Sequence, residues 1–327
     1  MEQDGKGSEV DLSIVIPVYN EQQNVIPLVE GITKVVEKLS LVYEIVFIDD
    51  GSTDGTFNQL RDNLFSLPGV SVIKLRRNFG KAAALMEGFR RSGGQVVITM
   101  DGDMQDDPAE IPHFLDKIND GYDIVSGWKK QRKDPPSKTI PSRIFNRVTS
   151  FFAGIRLHDF NCGFKAYRRE VIENLVVYGE LYRFIPVIAH WQGFKVGEMG
   201  VTHHPRTHGK SKFGAGRFIK GFVDFLTVLF LTKYAKRPLH FLGSIGLAFF
   251  TMGTVIELYL TYLWFFSDQG IGWRPILFLG ILLIIVGIQI IMTGLIGELI
   301  YNVHSHSEQV HYVREIHGEG RQGGQRN

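Results

Sequence analysis

Over its first half the chain alternates short, continuously apolar runs with amphipathic segments. Leu12–Val18, Glu44–Ile48, Val70–Leu75, Val96–Met100 and Asp123–Val125 read as strands. Helical periodicity falls near Asn24–Leu39, Thr56–Leu64, Lys81–Arg91 and Ala109–Asn119. Apolar strands taking turns with helices predict an α/β fold with a mostly parallel sheet covered on both faces. In such sheets ligands bind beyond the carboxyl ends of the strands. Polar clusters stand there: Tyr19-Asn20-Glu21, the stretch Asp49–Gly55, and Asp101-Gly102-Asp103.

The pattern then changes. Leu239–Phe266 and Pro275–Tyr301 are apolar runs longer than the roughly 20 residues needed to cross a bilayer as helix. They predict a transmembrane hairpin with a short link at Ser267–Arg274; the competing reading is a buried two-helix core of a soluble domain. Lys233, Lys236 and Arg237 precede the first run, Arg314, Arg321 and Arg326 follow the second, and the link holds only Arg274. That bias places both ends, and the soluble part with them, on the cytoplasmic side. Glu257 lies inside the first run, where a bare carboxylate is costly, so it either faces a helix partner or is protonated. Two further stretches, Ser142–Arg156 and Arg217–Lys236, carry an aromatic-rich stripe beside basic residues. Each suits either an anionic leaflet or a face of the soluble domain.

Divided this way, the chain comprises a flexible start at 1–11, a catalytic domain at 12–211 with an interfacial helix near 140–155, an interfacial helix at 212–237, two membrane helices within 238–303, and a flexible cytoplasmic tail at 304–327. Composition supports the division. From Leu239 to Val303 only Glu257, Asp268, Arg274 and Glu298 are Asp, Glu, Lys or Arg, whereas the other 262 residues hold 66. A net charge of +2 argues against a nucleic-acid partner. The single cysteine, Cys162, excludes a disulfide framework and a multi-cysteine zinc site. Met1–Asp11 has no apolar core of the kind a signal peptide needs. No glycine-rich dinucleotide fingerprint follows the first strand and no P-loop occurs, which disfavours a dehydrogenase or a P-loop NTPase.

Asp101 and Asp103 follow an apolar run with one residue between them. If strand geometry persists, both point to one face, with Gln105 next on it. Two carboxylates so placed form a hard oxygen site for Mg²⁺ or Mn²⁺ that would also take phosphate oxygens. In Asp49–Gly55 the acidic groups are suited to a base or ribose, and equally to an Asx turn capping a helix. Arg76–Lys81 leads into a helix; it can hold a phosphate or base, or cap the helix, and Lys81 is a nucleotide-binding candidate.

The stretches IVIPVYNEQQN, VFIDDGSTDGT, RRNFGKAAAL, ITMDGDMQDDP, DFNCGFKAYRRE and HPRTHGKSKF occur in that order. Together they resemble family-2 glycosyltransferases of the A-type fold, in the branch that glycosylates polyisoprenyl phosphate. The likeness spans about residues 11–235, and the terminal hairpin is similar to that of bacterial members. It implies that Pro17, Tyr19, Glu21 and Asp50 line the nucleotide, and that Asp101, Asp103 and Gln105 hold Mg²⁺ or Mn²⁺ and the diphosphate. Asp103 and Asp159 are then the catalytic acids, with Asp159 near the acceptor. Arg206, Lys210, Ser211 and Lys212 fall near the phosphates, Arg143 near the lipid phosphate, and Arg132 and Arg183 are further basic candidates. The QxxRW motif of processive synthases is missing, which disfavours polysaccharide polymerisation.

The implied reaction is inverting transfer of a sugar, glucose from UDP-glucose as first choice, to an undecaprenyl-type phosphate at the cytoplasmic membrane face. Alternatives are another donor (GDP-mannose or a UDP-aminoarabinose-type sugar) or a non-catalytic nucleotide-sugar-binding membrane scaffold. The bacterial relatives also imply a homo-oligomer, with a tetramer as the suggested size.

Overall fold

The computed structural model describes residues 10–65, 67–130, 146–147, 149–151, 153–175, 181–205, 238–266 and 275–305. Packing separates the chain into two units, 1–229 and 230–327.

The first unit is built on a seven-stranded sheet of β1 (Leu12–Val18), β2 (Tyr43–Asp49), β3 (Val70–Lys74), β4 (Val96–Thr99), β5 (Ile124–Lys129), β6 (Lys165–Arg168) and β7 (Val196–Val201). Their order across the sheet is β3-β2-β1-β4-β6-β5-β7. All neighbours are parallel except β6, which runs antiparallel to both β4 and β5. The helices between strands are α1 (Val25–Val36), α2 (Thr56–Leu64), α3 (Lys81–Arg91) and α4 (Ile111–Asn119), followed by α5 (Arg169–Glu173) and α6 (Ile185–Trp191). The apolar runs behave as buried strands should: Leu12, Ile14, Val15, Ile16 and Ile45–Ile48 are fully buried. Leu12, Ile14, Ile16, Ile45 and Phe47 pack with Leu28, Ile32 and Leu60 from the helices in one core, and Val15 and Ile48 meet Gly88 of α3. The parallel strands β1, β2 and β4 all end on one edge, so their polar clusters share it. β6 and β7 carry no long apolar run. They are strands because they complete a sheet already formed, a tertiary effect that local periodicity does not show.

Around 146–153 the described residues are helical, as expected for the predicted amphipathic stretch. Of the stripe's residues Phe151 and Ile155 are described, and the others lie outside the described residues. Asn146, Thr149, Ala153 and Ile155 are buried while Phe151 is exposed. The buried face packs on the sheet's own unit, and Asn146 Nδ2 donates to His158 O at 2.6 Å. The predicted stretch Arg217–Lys236 lies outside the described residues.

The second unit is an antiparallel hairpin of α7 (Pro238–Phe266) and α8 (Pro275–Ser305). Each is long and apolar enough to cross a membrane, and only 11% of each apolar window is buried. That exposure overturns the buried-core alternative. α8 continues to Ser305, beyond the expected Tyr301, because Asn302–Ser305 are compatible with one more helical turn. The seam has a period of seven: Gly246 and Gly253 face Gly287 and Gly280, and Gly294, one heptad on, meets Leu239 and Leu242, with all four of these helix glycines and Gly294 buried. A Cβ on Gly253 would stand 2.6 Å from Gly280 O, and one on Gly246 2.6 Å from Gly287 O, so the backbones touch. Glu257 does face its helix partner, with Oε1 buried against Gly280 and lacking a hydrogen-bond partner. Glu298 Oε2 accepts from Leu239 N at 3.3 Å, satisfying an N-terminal amide of α7.

Candidate active site

The loops after β1 and β2 are bonded to each other. Asn20, in the left-handed region at φ 53°, donates its N–H to Ser52 Oγ at 2.9 Å and accepts from Thr53 N at 2.8 Å through Oδ1. Glu21 N donates to Thr56 Oγ1 at 2.8 Å, which holds the predicted nucleotide loop against the start of α2. Asp49 Oδ1 accepts from Ser52 N at 2.9 Å, while its buried Oδ2 has no hydrogen-bond partner, and Asp54 Oδ1 accepts from Thr56 N at 2.9 Å in an Asx turn at the start of α2. Asp50 does something the sequence did not indicate. Its two oxygens accept from Phe79 N at 2.8 Å and Gly80 N at 2.9 Å. Burial pushes its carboxyl above the ordinary value, although both amides pull the other way. Gly51, at φ 67°, lies under the same loop, where a Cβ would stand 2.6 Å from Asn78 N. Asp50 and Gly51 therefore anchor the 76–80 loop, and with it the start of α3.

Lys81 opens α3, and its Nζ contacts Asp101 Oδ1. Burial alone would lower the Lys81 ammonium, but Asp101, with Tyr182 and Asp106 adding to it, raises it overall. The ammonium also lies 5.4 Å from the Tyr182 ring centre. Arg183, buried beside it, has its guanidinium 5.4 Å from the same ring.

β4 stops at Thr99, so strand geometry does not persist through Asp101–Gln105 as the spacing predicts. The chain turns instead, and Met104 takes φ 62°. The bend brings Gly102 so close to β1 that a Cβ would stand 2.5 Å from Val18 Cγ1. Asp103 is buried, and its Oδ1 accepts from Gln105 N at 3.2 Å. Gln105 Nε2 donates to His204 O at 3.3 Å, and His204 N donates to Gln105 O at 2.8 Å, so Gln105 ties the turn to the chain after β7.

Asp106 braces the turn from below. Its Oδ2 accepts from Asp101 N at 3.3 Å, and Lys129 Nζ and His203 Nδ1 lie 3.6 and 3.8 Å from its Oδ1. Burial alone would raise Asp106; Lys129 and His203 outweigh it and hold the carboxyl down at about 2. Lys129 in turn is drawn down by burial but raised overall, chiefly by Asp106, with Asp101 and Asp159 adding to the field. Lys165, buried on β6 with Nζ on Cys162 O, is pulled down to about 8 by burial. The charges of Asp101 and Asp159 act against that fall.

Asp159 is buried, with Oδ1 accepting from Asn161 N at 3.0 Å. Its position is set by Glu198 on β7. Glu198 Oε1 accepts from His158 N at 2.8 Å and Asp159 N at 3.0 Å, while Oε2 pairs with His158 Nδ1 at 2.7 Å. The His158 ring stacks on Trp128 at 4.1 Å between centroids.

Of the predicted residues, Pro17, Tyr19, Glu21, Asp50, Lys81, Asp101, Asp103, Gln105, Asp159 and Arg183 are described. Arg132, Arg143, Arg206, Lys210, Ser211 and Lys212 lie outside the described residues. Sequence reasoning missed Asp106, Lys129, Lys165 and Glu198. Asp106 had a signal, as a further carboxylate in the same short stretch. Lys129 and Glu198 had none, because strand pairing alone brings them in.

The Asp101 carboxylate has the surroundings a cation needs. A Cβ on Gly163 would stand 2.5 Å from Asp101 Oδ1, so the glycine leaves room beside the carboxylate, and the Lys81 ammonium already occupies a cation's place there. Among the described residues no three His, Cys, Asp or Glu side chains gather as a metal site. Further ligands would then be water and phosphate oxygens, as Mg²⁺ and Mn²⁺ accept.

The family model described as "Glycosyl transferase family 2" matches residues 13–176. The chain is 38% identical over 297 residues to dodecaprenyl-phosphate galacturonate synthase of Rhizobium johnstonii, covering 89% of this chain and 88% of the relative. It is 35% identical to undecaprenyl-phosphate 4-deoxy-4-formamido-L-arabinose transferase of Pseudomonas fluorescens, covering 90% and 85%. Among solved structures, glucosyl-3-phosphoglycerate synthase from Mycobacterium tuberculosis, crystallised with Mn²⁺, UDP-glucose and phosphoglyceric acid, superposes with a TM-score of 0.54. That match has 18% identity over 67% of this chain and 80% of the other, a likeness of fold.

Proposed function

The chain belongs to glycosyl transferase family 2, and from that premise we propose that it transfers a sugar from a nucleotide diphosphate to a polyprenyl phosphate at a membrane. The observation that carries this reading is the paired-aspartate turn after β4, with the Lys81 ammonium on Asp101, in a chain with polyprenyl-phosphate sugar transferases as relatives over most of its length. Pro17, Tyr19, Glu21 and Asp50 serve the nucleotide, Asp50 by fixing the 76–80 loop. Asp101 and Asp103, with Gln105 setting the turn, would hold Mg²⁺ or Mn²⁺, which neutralises the departing diphosphate.

The acceptor is a phosphate monoester with a second pKa of about 6, so it needs little deprotonation at neutral pH. Asp159 then orients the acceptor side rather than acting as an obligatory base. Holding two anions together calls for cations, a task suited to Arg206, Lys210 and Lys212, with Ser211, Arg143, Arg132 and Arg183 as further candidates. In-line displacement inverts the anomeric centre. The 12–211 segment is the catalytic domain, and the stretches near 140–155 and 212–237 lie at the interface. The hairpin is the anchor, both termini are cytoplasmic, and the protein is a homo-oligomer.

Glucose is the donor expected from the sequence, whereas the two relatives described above carry other sugars in their names. Galacturonate and 4-deoxy-4-formamido-L-arabinose therefore stand beside it, with mannose as a further alternative. The test incubates purified full-length protein in detergent with undecaprenyl phosphate and, in turn, labelled UDP-glucose, UDP-galacturonate, UDP-4-formamidoarabinose and GDP-mannose. One donor should put label into the organic phase, and Asp103→Ala should cut that rate by about a hundredfold or more. No organic-phase label from any donor overturns the reading. A binding scaffold, by contrast, would survive Asp103→Ala.

A further inference from the structure

Asp101 carries a cation of the protein's own. Lys81 Nζ rests on its Oδ1, delivered from a fixed base, since Asp50 pins the loop that precedes α3. The pair remains open to a ligand: the two side chains are 25% and 30% exposed. An ammonium and a hard divalent ion seek the same carboxylate lone pairs, so one excludes or weakens the other. A nucleotide diphosphate changes the contest. Its oxygens attract both the ion and Lys81, which gives the ammonium a partner other than Asp101.

We infer that Lys81 is a positioning residue with two places, on Asp101 before the donor arrives and on the donor's diphosphate once the ion has taken the carboxylate. This rests on the reading of Asp101 and Asp103 as cation ligands for a nucleotide diphosphate. It follows that ion and nucleotide bind cooperatively beyond their direct contact. The ion alone must dislodge Lys81, and the nucleotide alone must draw Lys81 away. Each therefore removes an obstacle to the other, and the coupling is reciprocal.

The experiment is Mn²⁺ binding to the full chain in detergent, read from the electron paramagnetic resonance signal of the free ion, with and without UDP. No acceptor, sugar or turnover is involved. Lys81→Met should tighten Mn²⁺ about three- to tenfold in the absence of UDP, the effect of removing one partly exposed competing charge. It should weaken UDP about tenfold, the loss of one charge-assisted hydrogen bond. The factor by which UDP improves Mn²⁺ binding should shrink accordingly. Lys81→Gln, also neutral, should repeat the result, and Lys81→Arg, which keeps the charge, should stay within about twofold of wild type. Unfolding curves check that the variants are folded. Normal wild-type binding with neutral variants that bind Mn²⁺ equally or more weakly overturns this inference alone. Mn²⁺ binding that is absent even with UDP, or that survives Asp101→Asn, overturns the metal reading and this inference with it.

Discussion

Asp106 shows how one buried charge can set a site it does not belong to. It has no exposed side-chain surface, yet it accepts from the Asp101 amide and faces the Lys129 ammonium. Removing its charge would leave Lys129 buried without its main partner, so Asp106→Asn should destabilise the protein by about 3 kcal/mol in chemical unfolding at neutral pH. The pH dependence has a definite sign. The folded-state value, about 2, lies below the ordinary carboxyl value. The stabilisation is thus fully present above about pH 4 and is lost as pH falls toward 2. The gap in unfolding free energy between wild type and Asp106→Asn should accordingly close between pH 4 and pH 2; a gap that stays constant would contradict the assignment. At this scale the sequence marked Asp101 and Asp103 as candidate ligands, and the family resemblance marked Asp159. It did not show that Asp50 would be engaged by loop amides, because both donors come from a segment almost 30 residues away.

Among the elements, the clearest dependence on single positions is the helix hairpin. In lipid the helices gain little from burying apolar surface against each other, so close backbone packing must hold them. Gly246 and Gly253 on α7 and Gly280 and Gly287 on α8 supply it, at spacings that return each glycine to the seam every two turns. A side chain at Gly253 would meet the Gly280 carbonyl at 2.6 Å, so the helices must separate to admit it. Gly253→Leu should lower the detergent-solubilised unfolding temperature by several degrees, whereas Val255→Leu, on an exposed face, should leave it unchanged. Equal effects from both would refute the seam. The glycine heptads are visible in the sequence once sought. The hydrophobic pattern hides them, because both helices are apolar all round.

For the whole molecule, a charged α/β unit and an apolar hairpin share one chain. Large side chains such as Leu258, Phe278 and Ile296 are well exposed on the hairpin, a surface that water does not tolerate and lipid does. Alkaline carbonate washing should therefore leave the full chain in the membrane pellet, and detergent should release it. Release by carbonate would exclude the hairpin as an anchor.

The sequence by itself determined the class of the sheet, the strands β1 to β5 within a few residues, four helices between them, both apolar spans and the strand-end acids. These follow from local periodicity and from where polar residues interrupt it, which neighbours along the chain suffice to define. Tertiary structure alone decided that β6 and β7 are strands, that β6 runs against its neighbours, and that the chain bends at Asp101 instead of extending. It also brought Lys81 to Asp101, Lys129 and His203 to Asp106, and Glu198 to the amides of His158 and Asp159. Each of these contacts joins residues at least 20 positions apart, and charge pairing at that separation leaves no periodicity in the chain. It exists only once the sheet has placed the strand ends side by side.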